Sequence, residues 1–475
     1  MKTILSVAAA FTATVFYYER KAPVEVEFSL AEDRESQVAP HESCSSNAAL
    51  QLLRQQAHHN ANQEHQLHTR LALAEALLQS GDYGQAIEEA RAAKALAEEL
   101  GQDTFDVRVT LAELELRTGR LQDADRNLRM LSDRMVQFRA QGKPHGGSLV
   151  WARVNRLLGT ARRQRGFFTE ARQRYAEARA HYQEYGDDVA VSEIAVEEAE
   201  VTRLESGAAE ALPQLRQALA DLRSHAAAAN VDSAIARAYQ SLAATEAALG
   251  LQFELSLQEG VSKSSCQSPG DAVIWASVAA ALTEAGDAGA ASAVDKADEL
   301  ENKEQVSNPA TAGLIAHIRA IQAVENENTE EAVNLAKQAI ELYDLAGGMK
   351  MLPKAEPLRI LAKAAEKEGR IVDAAGFLQQ EMDVVAETVG LRSPRGVRVL
   401  AEISRVADLR GNTHDAMGHL SGALQIRMQL AGCSEAIVQT ATQQHMARAV
   451  SGSAQRALVA AQALEGPLIC GAGQP

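Results

Sequence analysis

The stretch 81-GDYGQAIEEARAAKALAEEL-100 decides how the rest of the chain is read. It opens on Gly81, places Ala86 five residues on, and continues as an alanine-rich helical run. Setting Gly81 against Gly119, Gly166, Gly286, Gly369 and Gly411 aligns six copies of one pattern. Five residues after each glycine stands an alanine: Ala86, Ala124, Ala171, Ala291, Ala374 and Ala416. Seven residues before it the residue is small: Ala74, Ala112, Gly159, Ala279, Ala362 or Ser404. Eight before it the residue is aliphatic: Leu73, Leu111, Leu158, Val278, Leu361 or Ile403.

The columns have a physical reading. Glycine permits the tight turn between two antiparallel helices. The small residue before it and the alanine after it face each other across that hairpin, so the helix axes come close. The aliphatic residue faces a core shared with the neighbouring hairpin. One hairpin cannot bury its apolar faces alone, so the copies must stack. Weaker copies fill the gaps. Gly250 keeps Leu242 and Ala243 before it but has Leu255 in the alanine column. Ala332 belongs to a copy whose turn, near Glu327 and Asn328, lacks glycine; Gly207 and Gly452 mark two more. About ten turns result, near 81, 119, 166, 207, 250, 286, 327, 369, 411 and 452, most of them 41 to 43 residues apart.

The block from Gly81, with Tyr83, Ala86 and Ala93, resembles the second half of a tetratricopeptide (TPR) repeat. The spacing, and 415-DAMGHLSGALQIRMQLAG-432, resemble the longer repeat of kinesin light chain type adaptors. The resemblance covers nearly all of 70–464. It implies an all-α, right-handed superhelical solenoid of stacked antiparallel helical hairpins, with the first helix of each repeat lining a concave groove. The sequence departs from the kinesin light chain pattern at the Asn of L-x-N-L-A, where Ile360 and Glu402 stand.

The N-terminus reads differently. Lys2 precedes an apolar run from Ile4 to Tyr18, which Glu19-Arg20-Lys21 stops. That run is short for a bilayer core of about 30 Å and resembles a signal-peptide core or short anchor. Residues 1–18 are therefore expected to be a signal or membrane anchor. A flexible acidic linker is expected over 19–46, the helical solenoid over 47–465 and a disordered tail over 466–475. Breaks rich in Gly, Pro and Ser are expected at 141–148, 259–270, 306–310, 346–353 and 390–396. The protein is expected to be membrane-anchored or exported, with a cytoplasmic location as the alternative.

Composition removes several function classes. The chain of 475 residues is 46% apolar but only 4% aromatic, which suits closely packed helices and not strands. A net charge of −16 argues against nucleic acid as a partner. Cys44, Cys266, Cys433 and Cys470 form no zinc pattern and read as incidental thiols, with one long-range bridge as the alternative. No nucleotide-binding, metalloprotease or nucleophile-elbow motif occurs, so no catalytic, cofactor or metal residue is assigned and no enzymatic activity is expected. His58, His59, His65 and His68 lie in one predicted helix, with His58, His65 and His68 on one face. They read as a polar capping helix and not as a metal site, because a closed zinc site wants four ligands.

The charged face that remains lies over 101–185, a basic region in an acidic protein. Arg153, Arg156 and Arg163 share one helical face, with Thr160. Glu193, Glu197 and Glu200 share a face in the next repeat. The geometry implied by the resemblance puts both sets inside the groove. Two readings stay open: the arginines bind carboxylates of a partner, or the two sets pair with each other. The function expected is a non-enzymatic protein-interaction scaffold or adaptor that binds a peptide or helix, acidic in part. The alternative is a TPR sensor or regulatory arm of a signalling or transcription-control system.

Overall fold

The computed structural model describes residues 46–450, apart from 60–61, 81–82, 103, 142–147, 226–230, 264–270, 304–306, 431–432 and 434, together with residues 452, 456 and 459. The expectations for 1–18, for 19–45 and for 466–475 lie outside the described residues. Among the described residues there are twenty α-helices and no strand. They are α1 (Ser46–His59), α2 (Gln63–Ser80), α3 (Tyr83–Glu99), α4 (Phe105–Arg117) and α5 (Leu121–Ala140). Next come α6 (Ser148–Arg165), α7 (Phe168–Tyr185), α8 (Asp188–Glu205), α9 (Ala208–Ser224) and α10 (Val231–Ala248). Then follow α11 (Glu254–Lys263), α12 (Asp271–Ala285), α13 (Ala290–Lys303), α14 (Pro309–Glu325) and α15 (Thr329–Gly347). After a 3-10 turn at Leu352–Lys354 come α16 (Ala355–Lys367), α17 (Ile371–Thr388), α18 (Pro394–Leu409), α19 (Thr413–Leu430) and α20 (Glu435–Ala449).

From α2 to α19, each even-numbered helix packs on the odd-numbered helix that follows it, and each such hairpin packs on the next. The protein is thus an all-α solenoid of consecutive helical hairpins. The turns fall where the glycine column puts them. Gly119, Gly166, Gly207, Gly250, Gly286, Gly369, Gly411 and Gly452 all have positive φ. The turn without glycine is the informative one. Glu327, at φ 60°, is the sole non-glycine of positive φ among the described residues. Its turn is held by Asn328, whose side chain accepts from the Glu331 amide and caps α15. The turn at 81 lies outside the described residues.

The facing columns also meet as the pattern requires. Ala74, Ala112, Ala279 and Ala362 are buried, as are Ala86, Ala124, Ala171, Ala374 and Ala416. The Ser404 hydroxyl donates to the Ala416 carbonyl at 2.7 Å, tying the two columns across one hairpin. At Gly159 a side chain is excluded, since a Cβ would stand 2.5 Å from the Tyr175 ring.

Three expectations need correction. Ala291 is exposed, because the turn after Gly286 starts α13 at a different register and buries Ala290 and Ala293. The expected break over 259–270 begins later, since α11 runs on to Lys263. The histidines do not share a helix: α1 ends at His59, and Asn62 starts α2 by accepting from the amides of Glu64 and His65. His65 and His68 are exposed on α2, and no group of three metal-ligating side chains occurs among the described residues.

Local pairing does not exhaust the fold. The segment from Asn308 to Lys354 returns to pack on the hairpins of α4 to α7. The Asn308 side-chain amide donates to the Arg117 carbonyl at 3.1 Å. Ala316, Ala339, Tyr343, Ala346 and Met351 complete one core with Leu121, Leu128 and Leu158. Leu352 enters a second core with Phe168 and Tyr175. Two glycine turns receive this segment: a Cβ at Gly119 would lie 2.0 Å from Asn308 Oδ1, and one at Gly166 would lie 2.3 Å from Leu352 Cβ. The solenoid thereby closes on itself across about 190 residues.

Candidate functional site

Closure of the solenoid leaves an interior cavity of 1820 Å³. Its lining comes mainly from the even-numbered helices, from Glu75 on α2 to Arg398 on α18. Arg153, Arg156, Thr160 and Arg163 of α6 stand on its wall, as do Glu193, Glu197 and Glu200 of α8. All seven residues singled out in the sequence are therefore brought together in one place.

They are not free. Arg156 forms an ion pair with Glu193, and Glu193 pairs in turn with Arg237 of α10. Arg163 meets Glu197 at 2.8 Å. Arg153 turns the other way, reaching Glu113 of α4 at 2.9 Å and Glu75 of α2 at 3.4 Å. Glu200 is held within α8 by Arg203 at 3.0 Å. A lattice of alternating charge thus runs across α2, α4, α6, α8 and α10. The geometry is that of pairing between adjacent repeats, the second of the two readings of this face.

Tyr175 sits at the centre of the lattice, a role that no spacing in the sequence marks. It is fully buried, and its hydroxyl lies 3.2 Å from Glu197 and 3.3 Å from Thr160. Arg163 donates to that hydroxyl at 3.4 Å. The Thr160 hydroxyl also donates to the Arg156 carbonyl one turn back. Burial and the Glu197 carboxylate push the tyrosine pKa up, so the hydroxyl remains a donor. The missing signal was long-range: Tyr175 lies on α7, outside the helical face whose spacing exposes the arginines.

Electrostatics agree with the distances. Burial by itself would raise Glu193, but the Arg156 and Arg237 guanidiniums outweigh it and hold the carboxyl below the usual range. Glu113, Glu197 and Glu200 are likewise held down against burial, by Arg153, Arg163 and Arg203 respectively. Burial opposes the charge on Arg156 and Arg163 too, yet Glu193 and Glu197 carry both above the usual arginine value. This wall is a fully ionised, mutually satisfied network.

The opposite wall, from α14 to α18, is built otherwise. It carries His317, Arg359, Glu381, Arg392, Arg395 and Arg398. Arg359 pairs with Glu356 one turn earlier, but its Nε has no partner among the described residues. Glu381 is buried with Oε2 unpartnered, and burial pushes its pKa up to about 7. His317 has both ring nitrogens shut from solvent and without partners. Burial, then Arg359 and Arg395, push its pKa down to about 4, so it is neutral.

No protein-family model and no curated protein matches the chain. Solved structures similar to it include yeast Tom70, at 11% identity and a TM-score of 0.39, with 87% of this chain and 96% of that one covered. A second is Cut9 with Hcn1 from the APC/C, at 14% identity and a TM-score of 0.33, with 92% and 96% covered. A third is a monomeric IFIT1 mutant with Gppp-AAAA, at 12% identity and a TM-score of 0.35, with 88% and 81% covered. Likenesses this low carry no argument about the present site. The hairpin stack itself, with its glycine turns and small-residue contacts, is TPR-like.

Cys433, packed against the last core cluster, is disulfide-bonded, where the sequence favoured an incidental thiol. The other three cysteines lie outside the described residues. No helix among the described residues is long and apolar enough to cross a membrane.

Proposed function

We propose that the chain is a non-enzymatic interaction scaffold that takes a peptide or helical segment of a partner protein into its interior cavity. The observation that carries this reading is the cavity itself. Pockets for small molecules run to about 300–1,000 Å³. This one, at 1820 Å³, is larger and is lined by helices from nearly every hairpin. Its walls offer side chains of both charge signs and backbone-rigid helices, which suit an extended polar segment better than one small metabolite. Arg153, Arg156, Thr160, Arg163, Glu193, Glu197 and Glu200 form one wall of the binding chamber. A partner's charged groups engage them by exchanging with existing pairs.

The partner is a protein or peptide and not a nucleic acid. The net charge of −16 repels a polyphosphate. Residues 1–18 carry the chain to or across a membrane, and the Cys433 disulfide supports an oxidising compartment. The role as an adaptor of the kinesin light chain type rests on repeat spacing alone. The sensor or regulatory-arm role is kept as the alternative, because a closed solenoid has an opening motion that a ligand can bias.

The test is site-specific photo-crosslinking in cells. A photoreactive side chain at Ser277, on the cavity wall, should capture a defined partner. The same group at Gln380, exposed outside the lining, should not. Equal capture at both positions, or capture at neither, would sink the reading. Comparing the full chain with a form lacking residues 1–21 by cell fractionation tests the targeting role.

A further inference from the structure

We propose that the solenoid opens at the seam where the segment from Asn308 to Lys354 meets α4 to α7, and that this opening admits the partner segment to the cavity. The two arms part there as units, with their own hairpins intact. The opening stands by itself, whereas its use for entry rests on the scaffold reading.

The first argument is how little holds the seam. Elsewhere in the stack, charged side chains tie one hairpin to the next, as Arg156 with Glu193, Arg163 with Glu197 and Arg405 with Glu366 do. Across the seam no ion pair forms among the described residues. Arg319, Lys350 and Lys354 of the returning segment pair away from it, with Asp298, Glu387 and Asp344. The side-chain hydrogen bond that crosses the seam runs from the Asn308 amide to the Arg117 carbonyl. Apolar burial is thin as well. Of the five buried residues that the segment gives to the shared core, Ala316, Ala339 and Ala346 are alanines, and only Tyr343 and Met351 are large. A buried methyl group removes far less apolar surface from water than a leucine side chain does.

The second argument is polarity stranded along the same line. The Tyr343 hydroxyl on one arm, with Gln164 Oε1 and Arg165 Nε on the other, is shut from solvent, and all three lack partners among the described residues. Arg165 touches the returning segment directly, its Cγ 3.6 Å from where a Cβ on Gly347 would stand. Glu301 Oε2 is likewise unpartnered behind Asn308, whose backbone amide donates to Glu301 Oε1 at 2.6 Å. Such groups are costly to bury without partners, and parting the arms lets water reach them. Packing therefore favours the closed form, and the stranded groups oppose it.

The third argument is that each arm is firm while the seam is a wall of the cavity. A Cβ at Gly313 would stand 2.9 Å from the Tyr343 ring, so α14 and α15 lie close enough to move as one hairpin. Ala320 and Ala336 pack with Ile360 and Leu361 of α16, and Ile315 and Ile318 pack with Val278 and Leu282 of α12. These contacts hold the hairpin to its own neighbours in the stack. Small rotations at successive interfaces of such a stack add up to a separation at the seam. Gly119, Gly166, Asn308, Met351 and Leu352, which meet there, all line the cavity. Parting the arms thus opens the cavity along its side.

Peroxide oxidation of buried methionines in the full chain, read by mass spectrometry, tests the opening. Met351 is buried in the seam core, and Met428 in the core of the last hairpin. Low urea should leave the Met351 rate unchanged, because parting the arms exposes little surface compared with unfolding. Tyr343→Phe removes a stranded hydroxyl and should slow Met351 about fivefold or more. Asn308→Asp keeps the acceptor that caps α14 but loses the donor to Arg117, and should speed Met351 about fivefold. Met428 should follow neither change. Dyes attached through unnatural residues at Met130 of α5 and Val372 of α17, both exposed, should separate more often in Asn308→Asp than in Tyr343→Phe. That measurement distinguishes parting arms from fraying beside Met351. The proposal is overturned if the Met351 rate climbs with urea as global unfolding does, if Tyr343→Phe fails to slow it, or if the dye distances agree in the two variants. Partner capture from Ser277 tests entry: Tyr343→Phe should slow it and Asn308→Asp should speed it. Capture at one rate in all three proteins removes the entry role and leaves the scaffold reading standing; capture absent in all three removes the scaffold reading and entry with it.

Discussion

The two walls of the cavity are made from the same helical hairpin, yet they treat charge in opposite ways. On α6, Arg153, Arg156 and Arg163 each meet a carboxylate one hairpin away, and the carboxylates are held ionised against burial. On α16 and α18, Arg359, Arg395 and Arg398 lie in one another's field, although Arg405 still pairs with Glu366 across the hairpins, and the buried carboxyl of Glu381 is pushed up to about 7. The difference teaches where a repeat protein stores cohesion and where it keeps capacity to bind. Satisfied pairs tie hairpins together, whereas unsatisfied ones remain available.

The largest expected effect breaks the comparison on its cohesive side. Arg156→Glu with Arg163→Glu places like charges against Glu193 and Glu197. Breaking a mostly buried pair costs about 3 kcal/mol or more, because the partner stays buried and unpaired. Urea denaturation should show that loss, and Glu193→Arg with Glu197→Arg should recover most of it. The matching reversal on the other wall, Arg395→Glu with Arg398→Glu, should change stability by no more than about 0.5 kcal/mol, as for exposed sites. Equal losses on the two walls would erase the distinction.

A somewhat smaller effect tests whether the walls face each other at all. Alanine at Gly369 or Gly411 meets nothing within 4 Å and should cost only the positive-φ penalty of about 1 kcal/mol. Alanine at Gly166 or Gly119 meets the returning segment as well and should cost about 1–3 kcal/mol beyond that. Faster hydrogen exchange over 308–354 should accompany the second pair and not the first. Identical costs at all four glycines would mean that closure contributes nothing.

The smallest effect is a contrast in pH dependence. Glu381 has its folded pKa raised, so between about pH 4.5 and 7 the folded state holds the extra proton. Its contribution is greatest below that window and is lost as pH rises through about 7. Arg359, Lys363, Arg398 and Glu402 on α16 and α18 set its field, with Arg395 nearby and Lys354 of the adjoining 3-10 turn paired with Asp344 of α15. Glu193, Glu197 and Glu200 have lowered pKa values, so their contribution is full above the ordinary carboxylate range and falls away in acid. Chemical denaturation from about pH 3 to 8 should therefore show Glu381→Gln abolishing a decline at the upper end. Glu197→Gln should instead diminish the loss toward acid. A Glu381→Gln profile parallel to wild type would contradict the contrast.

Much of this was written locally. Gly119, Gly166 and Gly411 announce turns because few other residues take positive φ without strain, and Ala86 and Ala416 announce close helix contact by their size. The turn at Glu327 was legible from the frame of its neighbours although its own residue type argues against it. The cohesive wall was half legible. Helical spacing put Arg153, Arg156 and Arg163 on one face, but it could not show that Arg153 turns back to Glu113 while the other two turn forward. The unpartnered wall was not legible, since Arg395 and Arg398 occupy ordinary positions at a helix start and only folding brings Arg395 near His317 and Arg359.

The sequence by itself determined the repeating unit, its turns and the face that each inner helix presents, because a helix fixes those through spacings of three, four and seven residues. Only the tertiary structure decided that Asn308 would reach the Arg117 carbonyl, that Leu352 would fill the space at Gly166, and that a cavity with two unlike walls would result. Those contacts depend on small rotations between neighbouring hairpins, added over about 190 residues. Each rotation is set by side-chain packing at an interface, and no column in the sequence records their sum.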